Sequence, residues 1–171
     1  MKIFRTKYVK LNFWLDVVVL IAVCLALLYV FFWPVGVKGG SLSPAINNGD
    51  LLIVSRFLAY FGGVSQGDFV LARYGAGGYN ENIVKRIAAV PGDHVIITGN
   101  SVYVNNQALE WDFFGHNAIN IDLVLGEDQH FVLGHNLATS IDSRHFGAIY
   151  GHQIRARVLL RYFPLNLFQI Y

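Results

Sequence analysis

The sequence predicts a mostly-β, antiparallel domain carried behind one N-terminal transmembrane helix. Three observations predict it. Residues 17–33 form an unbroken apolar run. The remainder holds short β-branched and aromatic stretches separated by turn residues, and no long amphipathic helical pattern competes with them in the second half. Across the chain 54% of residues are hydrophobic and 14% are charged, against about 25% charged in an ordinary soluble domain. That deficit is concentrated in the apolar run.

The N-terminal element comes first. Seventeen helical residues at about 1.5 Å each reach roughly 26 Å. Phe13, Trp14 and Leu15 before the run, with Pro34 and Val35 after it, complete a bilayer span over 13–35. Phe13 and Trp14 on one side and Phe31, Phe32 and Trp33 on the other resemble interfacial aromatic belts. Asp16 lies near the first belt, where a carboxylate still reaches water. A cleaved secretory signal is the competing reading. It would carry a run of about 7–15 residues ending in small side chains, whereas this run is longer and ends in aromatics and a proline. Lys2, Arg5, Lys7 and Lys10 precede the span with no acid among them, which keeps the N-terminus cytoplasmic. Removing those four from 13 basic residues, and Asp16 from 11 acidic ones, leaves nine against ten beyond the span. The net charge of +2 is thus a topology signal and no argument for nucleic-acid binding. The single cysteine, Cys24, lies inside the span and builds neither an intrachain disulfide nor a metal site.

The predicted organisation is a basic cytoplasmic segment over 1–12, an anchor over 13–35, and an extracytoplasmic β domain over 36–171. Strands are predicted at 51–55, 68–73, 82–90, 94–98, 101–104, 130–134 and 154–160. Turn signals separate them at "NNGD" 47–50, "GAGGYNEN" 75–82, "PGD" 91–93 and "TGNS" 98–101. "HVIITGNSVYV" is the clearest hairpin, with Gly99-Asn100 at its tip. "RFLAYFGG" at 56–63 reads as a short helix or an apolar loop.

Three segments carry candidate chemistry. "GGSLSP" at 39–44 offers Ser41, a serine between a permissive backbone and a proline. Serine needs a base, usually histidine with an acid behind it. Six histidines are present, so counting leaves a Ser–His–Asp triad open, although none has a nucleophile-elbow context and most read as surface or loop residues. "NIVKRIAAVPGD" offers Lys85 among apolar neighbours. A lysine acts as a base only when neutral, and burial among apolar groups lowers its pKa. Arg86 then points to the opposite face of the strand. In "GHNLATSIDSRHFGAI", residues 134–149, Ser140, Asp142 and Arg144 alternate. In extended form they share a face on which Asp142 and Arg144 pair.

Together these segments resemble the bacterial type I signal peptidases, membrane-anchored serine proteases with a Ser–Lys dyad, in the single-anchor form of Gram-positive bacteria. The family pattern Ser-Met-x-Pro followed by Gly-Asp appears as Ser41-Leu42-Ser43-Pro44 with Gly49-Asp50. The Lys-Arg and Pro-Gly-Asp pattern appears as Lys85-Arg86 with Pro91-Gly92-Asp93. The third pattern appears as Gly134-His135-Asn136, Ser140, Asp142-Ser143-Arg144 and Gly147. "VYVNN" at 102–106 and "RYFPLN" at 161–166 resemble later strands of the family.

The resemblance implies Ser41 as nucleophile, Lys85 as general base, Ser140 as the residue that positions the lysine, and Asp142 with Arg144 as a structural ion pair beside the site. It implies neither metal nor cofactor. The implied partners are preprotein signal peptides and the lipid bilayer, with the secretion machinery as a further partner and no nucleic acid. The implied location is the cell membrane. The substrate is expected to dock as an added strand, with small side chains one and three residues before the cut. Leu42 replaces the usual Met, a nearly volume-conserving change. His135 replaces the usual Asp. Gly39 stands where some members carry a hydroxyl for the oxyanion hole. The alternative is a specialised or non-catalytic signal-peptidase-like protein serving pilus or conjugation-system assembly. A non-catalytic relative is expected to lack the dyad, and both Ser41 and Lys85 are present.

Overall fold

The computed structural model describes residues 2–76, 79–116 and 118–171, with side chains described outside 2–12, 30, 75–76 and 79–80. The chain divides into two compact units, Met1–Trp33 and Pro34–Tyr171. The first is helix α1 (Lys2–Phe31). Among the described residues no helix is long and apolar enough to cross a membrane. The helix also ends before the predicted limit of 35, because Phe32–Gly36 form strand β1. Pro34 explains the stop: it has no N–H to donate, and its ring disfavours helical backbone in the residue before it.

The second unit is built from strands. After β1 come β2 (Leu51–Ser55), helix α2 (Arg56–Phe61), β3 (Phe69–Ala76), β4 (Tyr79–Ala89), β5 (His94–Thr98), β6 (Ser101–Val104), β7 (Gln107–Ala108), β8 (Ile121–Val124) and β9 (Gln129–Leu133). Helix α3 (Ser143–Phe146), β10 (Ile149–Tyr150), β11 (Ile154–Phe163) and β12 (Gln169–Ile170) complete it. One sheet runs β1-β2-β11-β3-β4-β9-β10, with β12 on β11, and a second runs β7-β6-β5-β8. The pairings of β11 with β2, β3 with β4, β4 with β9 and β5 with β6 are antiparallel, as the sequence predicts. The hairpin at Gly99-Asn100 closes with Thr98 opposite Ser101. "RFLAYF" resolves as helix, capped by the Ser55 hydroxyl accepting from Leu58 N–H. The turn predicted over 75–82 is tighter than expected. Ala76 already pairs with Tyr79, and positions 77 and 78 lie outside the described residues.

Two cores share the central strands. Ala88 and Ala89 of β4 and Phe131 and Leu133 of β9 pack with Val95, Ile97, Val102 and Val104 of the smaller sheet. Ile87 and Val132 turn the other way, into a core with Val70, Ala72 and Ile149. Strand β9 is thus buried on both faces, and the residue that follows it, Gly134, starts from a rigid position.

The loop between β1 and β2 is held independently. Leu42 and Ile46 are buried, and the Ile46 N–H donates to the Leu42 carbonyl at 3.1 Å. Val37 N–H donates to the Asp50 carbonyl, and Gly49 N–H donates back to Val37. Gly49 does so at φ 89°, backbone that favours glycine. Asp50 and Arg161, both buried, pair at 2.9 Å. Arg161 also donates to the carbonyls of Ala45 (2.8 Å) and Leu167 (2.7 Å). A single guanidinium therefore fastens the 41–50 loop to β11 and the C-terminal segment.

Removing one partner of such a pair strands the other as an uncompensated buried charge. Arg161→Met is expected to destabilise the protein by about 3–5 kcal/mol. Adding Asp50→Asn to that variant is expected to recover a large part of the loss. Urea unfolding of the detergent-solubilised chain measures both.

Candidate active site

Lys85 lies on β4 opposite Val70 of β3 and is 4% exposed. Its Nζ donates to Ser140 Oγ at 2.9 Å, across 55 residues of sequence. Burial is the main influence on this amine and pulls its pKa from 10.5 down to about 8. Asp142 works against that shift, and Arg144 adds to it. At pH 7 the amine is still mostly protonated, but its neutral form is far more accessible than that of a lysine at 10.5.

Ser140 is buried, and its N–H donates to the Asn136 carbonyl at 3.0 Å. The residues after it differ from expectation. Ser140, Asp142 and Arg144 do not form an extended stretch with a common face, because Asp142 is the N-cap of α3 and accepts from Arg144 N–H. The expected ion pair forms through this cap instead. Arg144 Nε meets Asp142 Oδ1 at 2.8 Å and Nη2 meets Oδ2 at 2.9 Å, with both side chains fully buried. Asp142 Oδ2 also accepts from Gly134 N–H at 3.0 Å, while Arg144 donates to the carbonyls of Leu137 (2.9 Å) and Ser140 (3.2 Å). The pair thus clamps the end of β9 to the loop bearing Ser140.

Ser41 arrives from a third segment. Its carbonyl accepts from Asn136 N–H at 3.1 Å, and its side chain is half-buried. Gly134 is the meeting point. A Cβ placed there would overlap Ser140 Oγ and stand 2.5 Å from the Ser41 carbonyl oxygen. Only a residue without a side chain lets these backbones approach so closely. Ser43, two residues on, is engaged in its own turn, where its hydroxyl donates to Asn47 Oδ1 at 2.8 Å. Gly39 N–H donates to Asn48 Oδ1 at 3.0 Å.

The histidines distribute differently. His94 contacts Asp122 at 2.6 Å on the surface, and His145 lies 3.9 Å from Asp142 with its own side chain 42% exposed. Four of the six histidines lie at the surface or are only partly covered, as expected of most of them, and His130 and His135 are the buried exceptions. Both sit in or next to β9, whose two faces are covered by packed cores. His135 faces Arg86 at 3.5 Å. The buried base bonded to a serine hydroxyl is the amine of Lys85.

A sequence profile of the family described as "Signal peptidase, peptidase S26" matches residues 10–163. The chain belongs to that family. It is 30% identical over 165 residues to signal peptidase I of Bacillus licheniformis, covering 86% of this chain and 87% of that protein. It is 27% identical over 179 residues to signal peptidase IB of Staphylococcus aureus, covering 91% and 92%. The crystal structure of a signal peptidase I from Enterococcus faecalis aligns with a TM-score of 0.45 at 22% identity, over 56% of this chain and 96% of that one. As a family member the chain is a serine endopeptidase.

Sequence reasoning named Gly134 only as part of a pattern. The signal for its packing role was present, since a glycine directly after the apolar triplet Phe131-Val132-Leu133 marks close backbone approach. Trp111, Phe69 and Phe113, which surround His135, were not singled out. They are ordinary apolar residues in sequence and converge only in the fold.

A buried amine whose pKa falls from 10.5 to about 8 makes stability depend on pH. Between those values the unfolded chain binds the proton more tightly, so stability rises with pH across that window and the full cost is felt below it. Lys85→Met is accordingly expected to raise stability at pH 7 by about 1–3 kcal/mol. That gain should shrink as pH approaches 10. Thermal unfolding of both proteins at several pH values measures it.

Proposed function

We propose that this chain removes signal peptides from exported preproteins, with Ser41 as nucleophile and Lys85 as general base. The observation that carries this reading is the buried Lys85 amine. It is bonded to Ser140, whose neighbour Gly134 also packs against the Ser41 backbone. A neutral amine has two N–H groups and one lone pair. The bond to Ser140 uses an N–H and leaves the lone pair to take the proton of Ser41 Oγ.

In the proposed reaction Ser41 Oγ attacks the scissile carbonyl as Lys85 accepts its proton. The tetrahedral oxyanion collapses to an acyl-enzyme, and the leaving amine takes the proton back from Lys85. Water, deprotonated by Lys85, then releases the signal peptide from Ser41. Ser140 fixes the direction of the lone pair, and the Asp142–Arg144 pair fixes Ser140. No metal or cofactor enters.

The proposed arrangement places 1–12 in the cytoplasm, the anchor over 13–35 and the catalytic domain of 36–171 outside, since Lys2, Arg5, Lys7 and Lys10 precede the apolar run with no acid among them while the remainder is close to neutral. Protease added to intact protoplasts is then expected to digest the β domain. Complete protection until lysis would reverse the orientation.

For the dyad, Ser41→Ala, Lys85→Ala and Lys85→Arg are each expected to lose at least about a thousandfold in cleavage of a preprotein. The arginine variant fails because guanidinium stays protonated. Ser43→Ala should keep substantial activity. The kcat/KM of the unmodified protein should rise with pH through about 8, as Lys85 loses its proton. Single-turnover cleavage followed by mass spectrometry of the cut bond checks all of these. Normal cleavage by Lys85→Ala would remove the mechanism.

A further inference from the structure

On the opposite face of β4, the residue after Lys85 builds a second charged site that the dyad does not use. Arg86 donates Nε to the Gly67 carbonyl at 2.8 Å. Its guanidinium lies over Trp111, 4.2 Å from the ring centroid, and over Phe69 at 5.0 Å. His135 enters the same aromatic box, 3% exposed. Its ring stacks on Trp111 at 5.9 Å and lies 6.2 Å from both Phe69 and Phe113. His135 Nε2 is 3.5 Å from Arg86 Nη1. Its Nδ1 finds no hydrogen-bond partner among the described residues.

Arginine can only donate, so this contact is attractive only while Nε2 keeps its lone pair. A proton there would set two cations side by side, one buried and the other partly exposed, which repel through incomplete screening. Two other ionisable groups face the box. Asp112 favours the imidazolium, and Tyr171, edge-on to Phe69 at 4.8 Å, interacts with Arg86. Burial and then Arg86 outweigh Asp112, holding the His135 pKa below its usual 6.5.

The box is joined to the catalytic residues through the main chain. Arg86 follows Lys85 directly. His135 lies between Gly134, which packs against Ser140 and Ser41, and Asn136, whose N–H holds the Ser41 carbonyl. The His135 carbonyl accepts from Phe114 N–H at 3.0 Å. Displacement of this packed ring would therefore press on the backbone that contacts both Ser41 and Ser140.

We propose that His135 is a positioning residue that holds the Ser41–Lys85 site in register only while its imidazole is neutral, giving the enzyme a second acid-side off-step distinct from protonation of Lys85. The proposal rests on the reading of Lys85 as base.

The test is kcat/KM for preprotein cleavage by the full chain in detergent micelles, from about pH 9 to 4.5, plotted logarithmically. Protonation of Lys85 alone gives a slope of one below about 8. Protonation of His135 steepens this to two, an extra loss of about tenfold per pH unit. His135→Asn, whatever its rate at pH 8, should fall with a slope of one throughout. The exposed Asp112→Asn change removes the carboxylate that favours imidazolium, so it should move the steepening to lower pH without threatening the fold. Imidazole NMR of the wild type should place the His135 titration at the steepening, with far-UV circular dichroism unchanged across it. A slope of one down to the acid end would overturn the proposal. So would a steepening that His135→Asn retains, that Asp112→Asn leaves in place, or that coincides with unfolding. Failure of the Lys85 reading is distinguishable, because it would remove the first limb near pH 8.

Discussion

A lysine amine held out of water needs a reason to be tolerated, and the architecture around Lys85 supplies one. Solvation favours the ammonium strongly, so burial drives the group toward its neutral form. A fully apolar pocket would leave its N–H groups without partners, at a penalty comparable to the burial itself. The Ser140 hydroxyl supplies a partner at 2.9 Å without adding a charge that would restore the ammonium. The balance is delicate because Asp142 is close enough to favour the charged state. Arg144, paired to Asp142 through two bonds, neutralises much of that influence. Burial thus dominates the protonation state of this amine, with the two members of the ion pair acting on it in opposite directions.

That electrostatic arrangement demands a stiff frame, which comes from strands buried on both sides. Strand β9 places Phe131 and Leu133 in one core and Val132 in the other, so it cannot shift without disturbing both. The chain leaves it at Gly134, where the Asp142 carboxylate catches the first N–H. Ser140 and Ser41 then close over the bare Cα of that glycine. Rigid strands, a carboxylate cap and one missing side chain bring together residues from three distant segments.

The segment bearing Ser41 is anchored by different means. It has no regular strand, so it relies on Leu42 and Ile46 as buried plugs and on Arg161 as a fastener. Its hydrogen bond from Asn136 is the thread to the frame around Gly134. The aromatic box around Arg86 and His135 supports the same stretch from the opposite side of β4.

Much of this was legible in the sequence. Alternating β-branched stretches and glycine-containing turns specified antiparallel strands, because side-chain alternation and turn chemistry are local properties. The apolar run specified an N-terminal helix, while the basic residues ahead of it, read only for orientation, also belong to that helix. Pro34 marked its end more accurately than hydrophobicity did. The three short patterns carrying Ser41, Lys85 and Ser140 were visible through their joint resemblance to the type I signal peptidases, since each by itself reads as an ordinary strand or polar loop. Tertiary structure alone decided the rest. It made Asp142 a helix cap rather than a strand residue, since the Gly134 N–H and the Arg144 side chain were there to bond it. It buried His135 in a box of residues drawn from β3, β4 and the segment before Gly115. Above all it turned Lys85 from an ordinary strand lysine into a buried amine with a lowered pKa. A pKa is set by the dielectric and charges within a few ångströms, and those neighbours are far away in sequence.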